Sequence, residues 1–159
     1  MQETCRVRRA GAEDLARIAE IEVFNYRLNF YPIFQDDAFY FRSLTVPEKI
    51  REYVSCIDQL WVYDDGAVKG FLMAEGTELR KLFVEPVLQG QGIGGVLLRY
   101  AVAQLQVDHL WALEKNVRAI AFYQRHGFHK THQRQPEEDT EEYLIRLEKQ
   151  SIEEITPRT

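Results

Sequence analysis

The chain has 159 residues, 45% hydrophobic and 28% charged, which fits one globular domain with a substantial core and excludes the disordered and fibrous classes. Its net charge of −5 at pH 7 argues against a nucleic-acid partner, whose binding would draw on clustered Lys and Arg. No apolar run approaches the roughly 20 residues that span a bilayer, and Met1 to Arg9 is polar and basic with no apolar centre, so a cytoplasmic protein without membrane contact is expected.

Cys5 to Arg8 alternates as a short strand, and Gly11 to Asp14 offers a turn that brings Asp14 to a helix start. Leu15, Ile18, Ala19 and Ile21 give this first helix an apolar face, which Glu22 and Asn25 border. Phe24 to Phe41 then holds eight of the nineteen aromatic residues. Pro47 opens a further helix with Ile50, Tyr53, Val54 and Ile57 on one side. From Leu60 the period becomes that of strands. Leu60 to Tyr63 and Ala67 to Ala74 are joined through Asp64-Asp65-Gly66, a hairpin signal, and Glu78 to Val84 is a third strand that Pro86 stops. Ile93, Val96, Leu97, Tyr100, Ala101 and Leu105 predict an amphipathic helix, and Leu110 to Leu113 a strand covered on both faces. Asn116 caps a helix that runs to about His126, where Gly127 supplies a left-handed end. Phe128 to Gln133 and Glu142 to Leu147 close the order β, α, α, β, β, β, α, β, α, β, β. That order describes one α/β domain over residues 1–148, with a polar tail at 149–159 and exposed edge strands that leave room for a homodimer.

Gln89-Gly90-Gln91-Gly92-Ile93-Gly94-Gly95 lies between a strand and a helix, so its amides are the unpaired donors of a helix N-terminus, which bind phosphate. Gly90, Gly92 and Gly95 also satisfy the G-x-G-x-x-G dinucleotide fingerprint, with Glu114 in the place of a ribose-binding acid. Three meandering strands before the loop, and only 45 residues after Glu114, disfavour that reading. A Walker loop is excluded, since no Lys-Ser or Lys-Thr follows the glycines.

The run from Leu82 to Gly94, with its Q-x-x-G-x-G core at Gln89, Gly92 and Gly94, strongly resembles the acetyl-CoA signature of the Gcn5-related N-acetyltransferase (GNAT) family. Asn116, Ala119, Phe122, Tyr123, Gly127 and Phe128 resemble a second signature of the same family. The resemblance implies a single-domain GNAT-like α/β fold, a mixed, mostly antiparallel sheet with helices on both faces, and acetyl transfer from acetyl-CoA to an amine in a ternary complex. It implies that the backbone of Leu82, Phe83 and Val84 lies along the pantetheine arm, that the amides from Gln89 to Gly95 hold the pyrophosphate, and that Asn116 and Phe122 contact the pantetheine. It also sets a backbone N–H near Val84 against the thioester oxygen and makes Tyr123 the general acid for the departing thiolate.

For the general base, Glu78 is the first candidate, six residues before Val84 on one strand, a spacing that resembles the catalytic glutamate of histone-acetylating members of the family, where a shift of one residue would turn it away. Glu114 is the second. The acceptor enters such folds across the first two helices. Most of the aromatic stretch is read as core, while Tyr26, Phe30, Tyr31 and Tyr40 are assigned to the acceptor pocket, with Asp36 or Asp37 available for a cation. The acceptor is an amine-bearing small molecule or protein. A non-catalytic acyl-CoA sensor is the alternative. His126, His129 and His132 do not converge across a helix end and a strand, and Cys5 and Cys56 lack ligand spacing, so no metal site is expected.

Overall fold

The computed structural model describes residues 6–150. Cys5 and residues 151–159, most of the expected tail, lie outside the described residues. In chain order the elements are β1 (Val7–Arg9), α1 (Leu15–Asn29), α2 (Tyr31–Phe34), α3 (Val46–Val54), β2 (Leu60–Asp64), β3 (Val68–Glu75), β4 (Glu78–Val84), α4 (Ile93–Leu105), β5 (His109–Leu113), α5 (Val117–Arg125), β6 (Phe128–Pro136) and β7 (Tyr143–Lys149). They form one seven-stranded sheet in the order β1-β2-β3-β4-β5-β7-β6. Every neighbouring pair is antiparallel except β4 and β5.

The alternation of the strands divides the core between the two faces. Leu72, Ala74, Leu79 and Val84 pack under α4 and α5, against residues such as Leu97, Ala101 and Ile120. Phe71 and Val62 face α1 and α3, against Ile18, Ile21 and Tyr53. Short-range chemistry sets the element ends. Thr45 caps α3 by accepting from the Glu48 N–H, with Pro47 in the first turn, and Asn116 caps α5 by accepting from the Ala119 N–H at 3.3 Å.

The aromatic stretch is more broken than one helix and a loop. Helix α1 ends at Phe30, α2 makes one turn around Pro32, Gln35 is left-handed, and Phe39–Ser43 forms a π-helical turn. Tyr40 and Leu44 from that turn bury against Val23 of α1, a small core of their own. Strand β7 extends to Lys149, whose N–H donates to the Asp108 carbonyl at 2.7 Å.

Two irregularities open the sheet at its centre. Strands β4 and β5 pair only at Glu78–His109 and Leu79–Leu110, whereas β5 pairs with β7 along its whole length, so β4 and β5 part after two residues. In the β3–β4 ladder, Met73 opposes Lys81 but Ala74 opposes Leu79, which makes Arg80 an extra residue, a β-bulge. Beyond the bulge, the Glu85 N–H bonds the Lys69 carbonyl at 2.9 Å, so Val84 and Leu82 occupy the alternate positions and turn their own N–H and C=O groups away from β3, toward the gap.

Candidate active site

The glycine loop occupies the mouth of that gap. Gly92 is the residue before α4 and has φ +88°, a conformation that costs any residue with a Cβ roughly 1–2 kcal/mol. Gly94 is helical and is small for a different reason: a Cβ there would meet the Phe122 ring at 3.3 Å, so its absence lets α5 close against the start of α4. The first amides of α4 therefore face open space, backed by the dipole of a 13-residue helix.

A cavity of about 540 Å³ runs from this loop along β4 to α5. It is lined by Leu82, Phe83 and Val84, the whole run from Gln89 to Gly95, and Asn116, Phe122 and Tyr123, so every residue assigned to the cofactor in the sequence lies on one surface. Among the described residues no Asp or Glu lines it, although the chain carries a net charge of −5. Instead Arg6, Arg99, Arg118 and Arg125 surround it. The loop is tied to α1 by Asn25, which is wholly buried: its Nδ2 donates to the carbonyls of Val84 and Ile21, both at 2.9 Å, and its Oδ1 accepts from Gln89 Nε2 at 3.0 Å.

A second cavity, of about 880 Å³, lies against the other end of β4 and β5. The two cavities share Leu82, Phe83, Asn116, Ala119 and Tyr123. Tyr123 is nearly buried, and burial pushes its phenol above the usual range, so the hydroxyl stays protonated. That hydroxyl makes no hydrogen bond to a described residue. An ionisable group held neutral where two cavities meet can give up a proton to a charge developing there.

Of the acceptor residues, Tyr26, Phe30 and Tyr40 line this second cavity, together with Phe34, Phe39 and Asp36. Tyr31 does not. Its hydroxyl donates to Asp37 at 2.6 Å and its ring stacks edge-on with Tyr40 and Phe41, because the single turn of α2 carries it to the outer side of the aromatic layer. Asp37 is occupied by the same bond.

Glu78 lines the second cavity, but not by the route its spacing suggested. The bulge at Arg80 shifts the alternation by one residue, so Glu78 no longer shares a face with Val84 and instead lies on the face of Lys81 and Phe83. There its carboxylate pairs with Arg80 Nε at 3.2 Å and lies 3.7 Å from His109 Nε2. Glu114 lines neither cavity. It is half exposed and bonded to Arg134 Nε at 2.7 Å, a surface ion pair.

The sequence reading passed over the arginines, Asn25 and a buried triad. Arg118, Phe122 and Arg125 recur at i, i+4 and i+7, a helical stripe legible without coordinates. Asn25 and the triad carry no such signal. In the triad, Glu22 is wholly buried and accepts from Lys81 Nζ and from the Tyr53 hydroxyl, each at 2.5 Å. Burial and the Glu22 charge raise the Tyr53 phenol far above its ordinary value.

Residues 57–130 match the family model of the acetyltransferase (GNAT) domain. The peptidyl-lysine N-acetyltransferase YiaC of Escherichia coli K12 is 40% identical over 82 residues, which is 50% of this chain and 56% of YiaC. The peptidyl-lysine N-acetyltransferase YjaB of Salmonella typhimurium is 34% identical over 74 residues, 45% of this chain and 51% of YjaB. The matches thus span about half the length of these relatives. Among solved structures, a Staphylococcus aureus N-acetyltransferase superposes with a TM-score of 0.71 at 14% identity, covering 89% of this chain and 98% of that one. The PaiA N-acetyltransferase of Thermoplasma acidophilum, in complex with coenzyme A, gives 0.65 at 18% identity, covering 88% and 96%. These likenesses establish the fold. With one parallel strand pair in an otherwise antiparallel sheet, it is not the doubly wound parallel sheet of a dinucleotide-binding protein.

Proposed function

On the premise that this chain belongs to the GNAT acetyltransferases, whose domain model it matches over residues 57–130, we propose that it transfers an acetyl group from acetyl-CoA to a primary amine within a ternary complex. The observation that carries the reading is the meeting of two cavities at Tyr123: one basic and bordered by helix-terminal amides, the other aromatic and bordered by carboxylates.

In this reading Leu82 offers its outward N–H and C=O groups to the pantetheine arm as a neighbouring strand would, since β5 has already diverged. The amides from Gln89 to Gly95 hold the pyrophosphate, and Arg99, Arg118 and Arg125 add positive charge around the phosphates. Asn116 spends its side-chain oxygen on the α5 cap and keeps its amide nitrogen for the pantetheine, while Phe122 packs beside it. The Val84 N–H is the donor for the thioester oxygen, whose negative charge grows as the amine attacks.

The amine nitrogen forms a bond to the thioester carbon, and the carbon–sulfur bond then breaks. Tyr123 passes its hydroxyl proton to the departing thiolate and regains one from the substituted nitrogen. Glu78, through water, is the acceptor of the proton that an incoming ammonium must lose before attack. A cytoplasmic setting and a homodimer formed through an exposed edge strand belong to the same proposal.

The test combines calorimetry with a free-thiol assay. Acetyl-CoA should bind saturably, and an amine panel should release CoA in wild type and far more slowly in Tyr123→Phe. Binding without CoA release from any amine, peptide or cell extract would instead favour an acyl-CoA sensor. NADH binding in the absence of acetyl-CoA binding would reject the reading.

A further inference from the structure

Of His126, His129 and His132, only His126 lines a cavity, the one assigned to the cofactor. It ends α5, directly before Gly127, and its ring packs on Phe122 with 4.6 Å between centroids. Its Nδ1 lies 2.9 Å from the Phe122 carbonyl. A carbonyl oxygen only accepts, so Nδ1 carries a hydrogen, and Nε2 of the neutral ring is left with a lone pair. A Cβ at Gly95 would stand 3.0 Å from that Nε2 and 3.1 Å from Arg99 Nη1. Both groups therefore lie over the third residue of α4, beside the amides assigned to the pyrophosphate.

The ring stands between opposite ends of two helices. The last carbonyls of α5 favour a cation and the first amides of α4 favour an anion. Among the described residues, the charged side chains that line this cavity or pack on His126 are all cations. They are Arg6 before β1, Arg99 on α4, Arg118 and Arg125 on α5, and Lys149 on β7, whose Nζ donates to the His126 carbonyl at 3.1 Å. Tyr63 and Tyr123 add phenols to the same surface. A phosphate held among these cations reverses the local field. A neutral Nε2 would set its lone pair against a phosphate oxygen, whereas a second proton on the ring makes the same contact a charge-assisted hydrogen bond.

We propose that His126 binds the cofactor's pyrophosphate as an imidazolium, so that cofactor binding takes up a proton and the contribution of this residue to affinity grows as pH falls. The proton comes from solvent to Nε2, while Nδ1 keeps its bond to Phe122. This rests on the acetyltransferase reading for the identity of the ligand and adds to it a binding residue and a proton linkage.

The test is calorimetry of acetyl-CoA and of 3′-dephospho-CoA between about pH 6 and about pH 8, in phosphate-free buffers of low and high ionisation enthalpy. The dephospho compound is the decisive probe, because a phosphate monoester itself titrates near pH 6, whereas the pyrophosphate stays ionised throughout. An imidazole ordinarily titrates near 6.5, so affinity for 3′-dephospho-CoA should rise about fivefold from the upper to the lower pH. Near pH 7 its binding enthalpy should differ between the two buffers with the sign of proton uptake, a readout that needs no variant. In His126→Gln, whose thermal midpoint verifies folding, the buffer difference should vanish and affinity should vary by less than about twofold across the range. Binding of 3′-dephospho-CoA without proton uptake would overturn the inference and leave the acetyltransferase reading standing. A pH slope that persists in folded His126→Gln would do the same. Failure of acetyl-CoA to bind at any pH would overturn both.

Discussion

Asn25 on α1 and Gln89 at the start of the glycine loop are joined side chain to side chain at 3.0 Å, and both donate to the carbonyl of Val84, at 2.9 and 3.3 Å. The end of β4, the loop and the first helix are thereby fixed to one another through a single carbonyl. The Val84 N–H lies on the preceding peptide, which the Phe71–Phe83 pairing with β3 orients, so clamp and ladder together hold both peptides of Val84, as a preorganised donor requires. Asn25→Ala should lower stability by about 1–3 kcal/mol, the cost of leaving buried polar groups unpaired. It should also weaken acetyl-CoA binding several-fold. Urea unfolding and calorimetry measure the two effects, and a variant as stable as wild type with unaltered affinity would show that the clamp is dispensable.

Gly92 and Gly94 should respond differently to substitution. At Gly92, with φ +88° and nothing within 4 Å of the position a Cβ would take, Gly92→Ala strains the backbone alone, at roughly 1–2 kcal/mol. At Gly94 the backbone is helical, so the added atom instead meets Phe122 at 3.3 Å. Gly94→Leu should therefore push α5 outward and raise the acetyl-CoA dissociation constant at least tenfold, whereas Gly94→Ala should fold with near wild-type stability. Thermal midpoints separate strain from lost binding across the three variants.

Tyr123→Phe should reduce kcat about 10²-fold, the lower end of general acid contributions, and leave acetyl-CoA affinity within about threefold. The raised phenol fixes the sign of the pH dependence. The proton is present throughout the neutral range, so kcat/KM should climb as the acceptor amine loses its own proton, with no falling limb from Tyr123 below about pH 10. Because the folded value lies above the unfolded one, the stability linked to this group is complete below about pH 10 and lost as pH rises beyond it. A falling limb near pH 8 that disappears in Tyr123→Phe would contradict this assignment.

Glu22→Gln should cost several kcal/mol at most, since removing one member of a buried pair costs about 3–5 kcal/mol and Lys81 keeps partial access to water. Glu22→Leu/Lys81→Leu, which removes both charges but takes from Lys49 the carboxylate 3.7 Å from its ammonium, should recover part of the loss. Chemical denaturation of Glu22→Leu, Lys81→Leu and Glu22→Leu/Lys81→Leu forms a double-mutant cycle. A coupling energy near zero would mean that the pair does not hold Lys81 in place.

Asp14 offers a check on the other edge of the fold. Arg8 bonds it at 2.7 Å and, with the Gly11 N–H, holds its carboxyl below the ordinary carboxylate range. A depressed carboxyl contributes stability above its unfolded value of about 4, and that stability is lost as pH falls through the lower folded value. Asp14→Asn should therefore be destabilised by about 1 kcal/mol at pH 7 and nearly as stable as wild type near pH 2. A pH series of unfolding free energies tests this.

What the sequence determined by itself was local. The glycine loop, the Asn116 cap, the hairpin at Gly66 and the periodicity of α4 depend on neighbours within a few residues, so their residue types announce them. For the same reason all the residues assigned to the cofactor fall on one cavity. What only the tertiary structure decided depends on residues far apart in the chain. The bulge at Arg80 is a shift of register between β3 and β4, and it puts Glu78 on the face of Lys81 and Phe83. The removal of Tyr31 from the acceptor wall follows from its packing on Tyr40 and Phe41. Glu22 and Lys81 stand 59 positions apart, and no pattern in the sequence pairs them. They meet because α1 packs across β4, and a buried carboxylate is tolerable only where such a partner arrives from elsewhere in the chain.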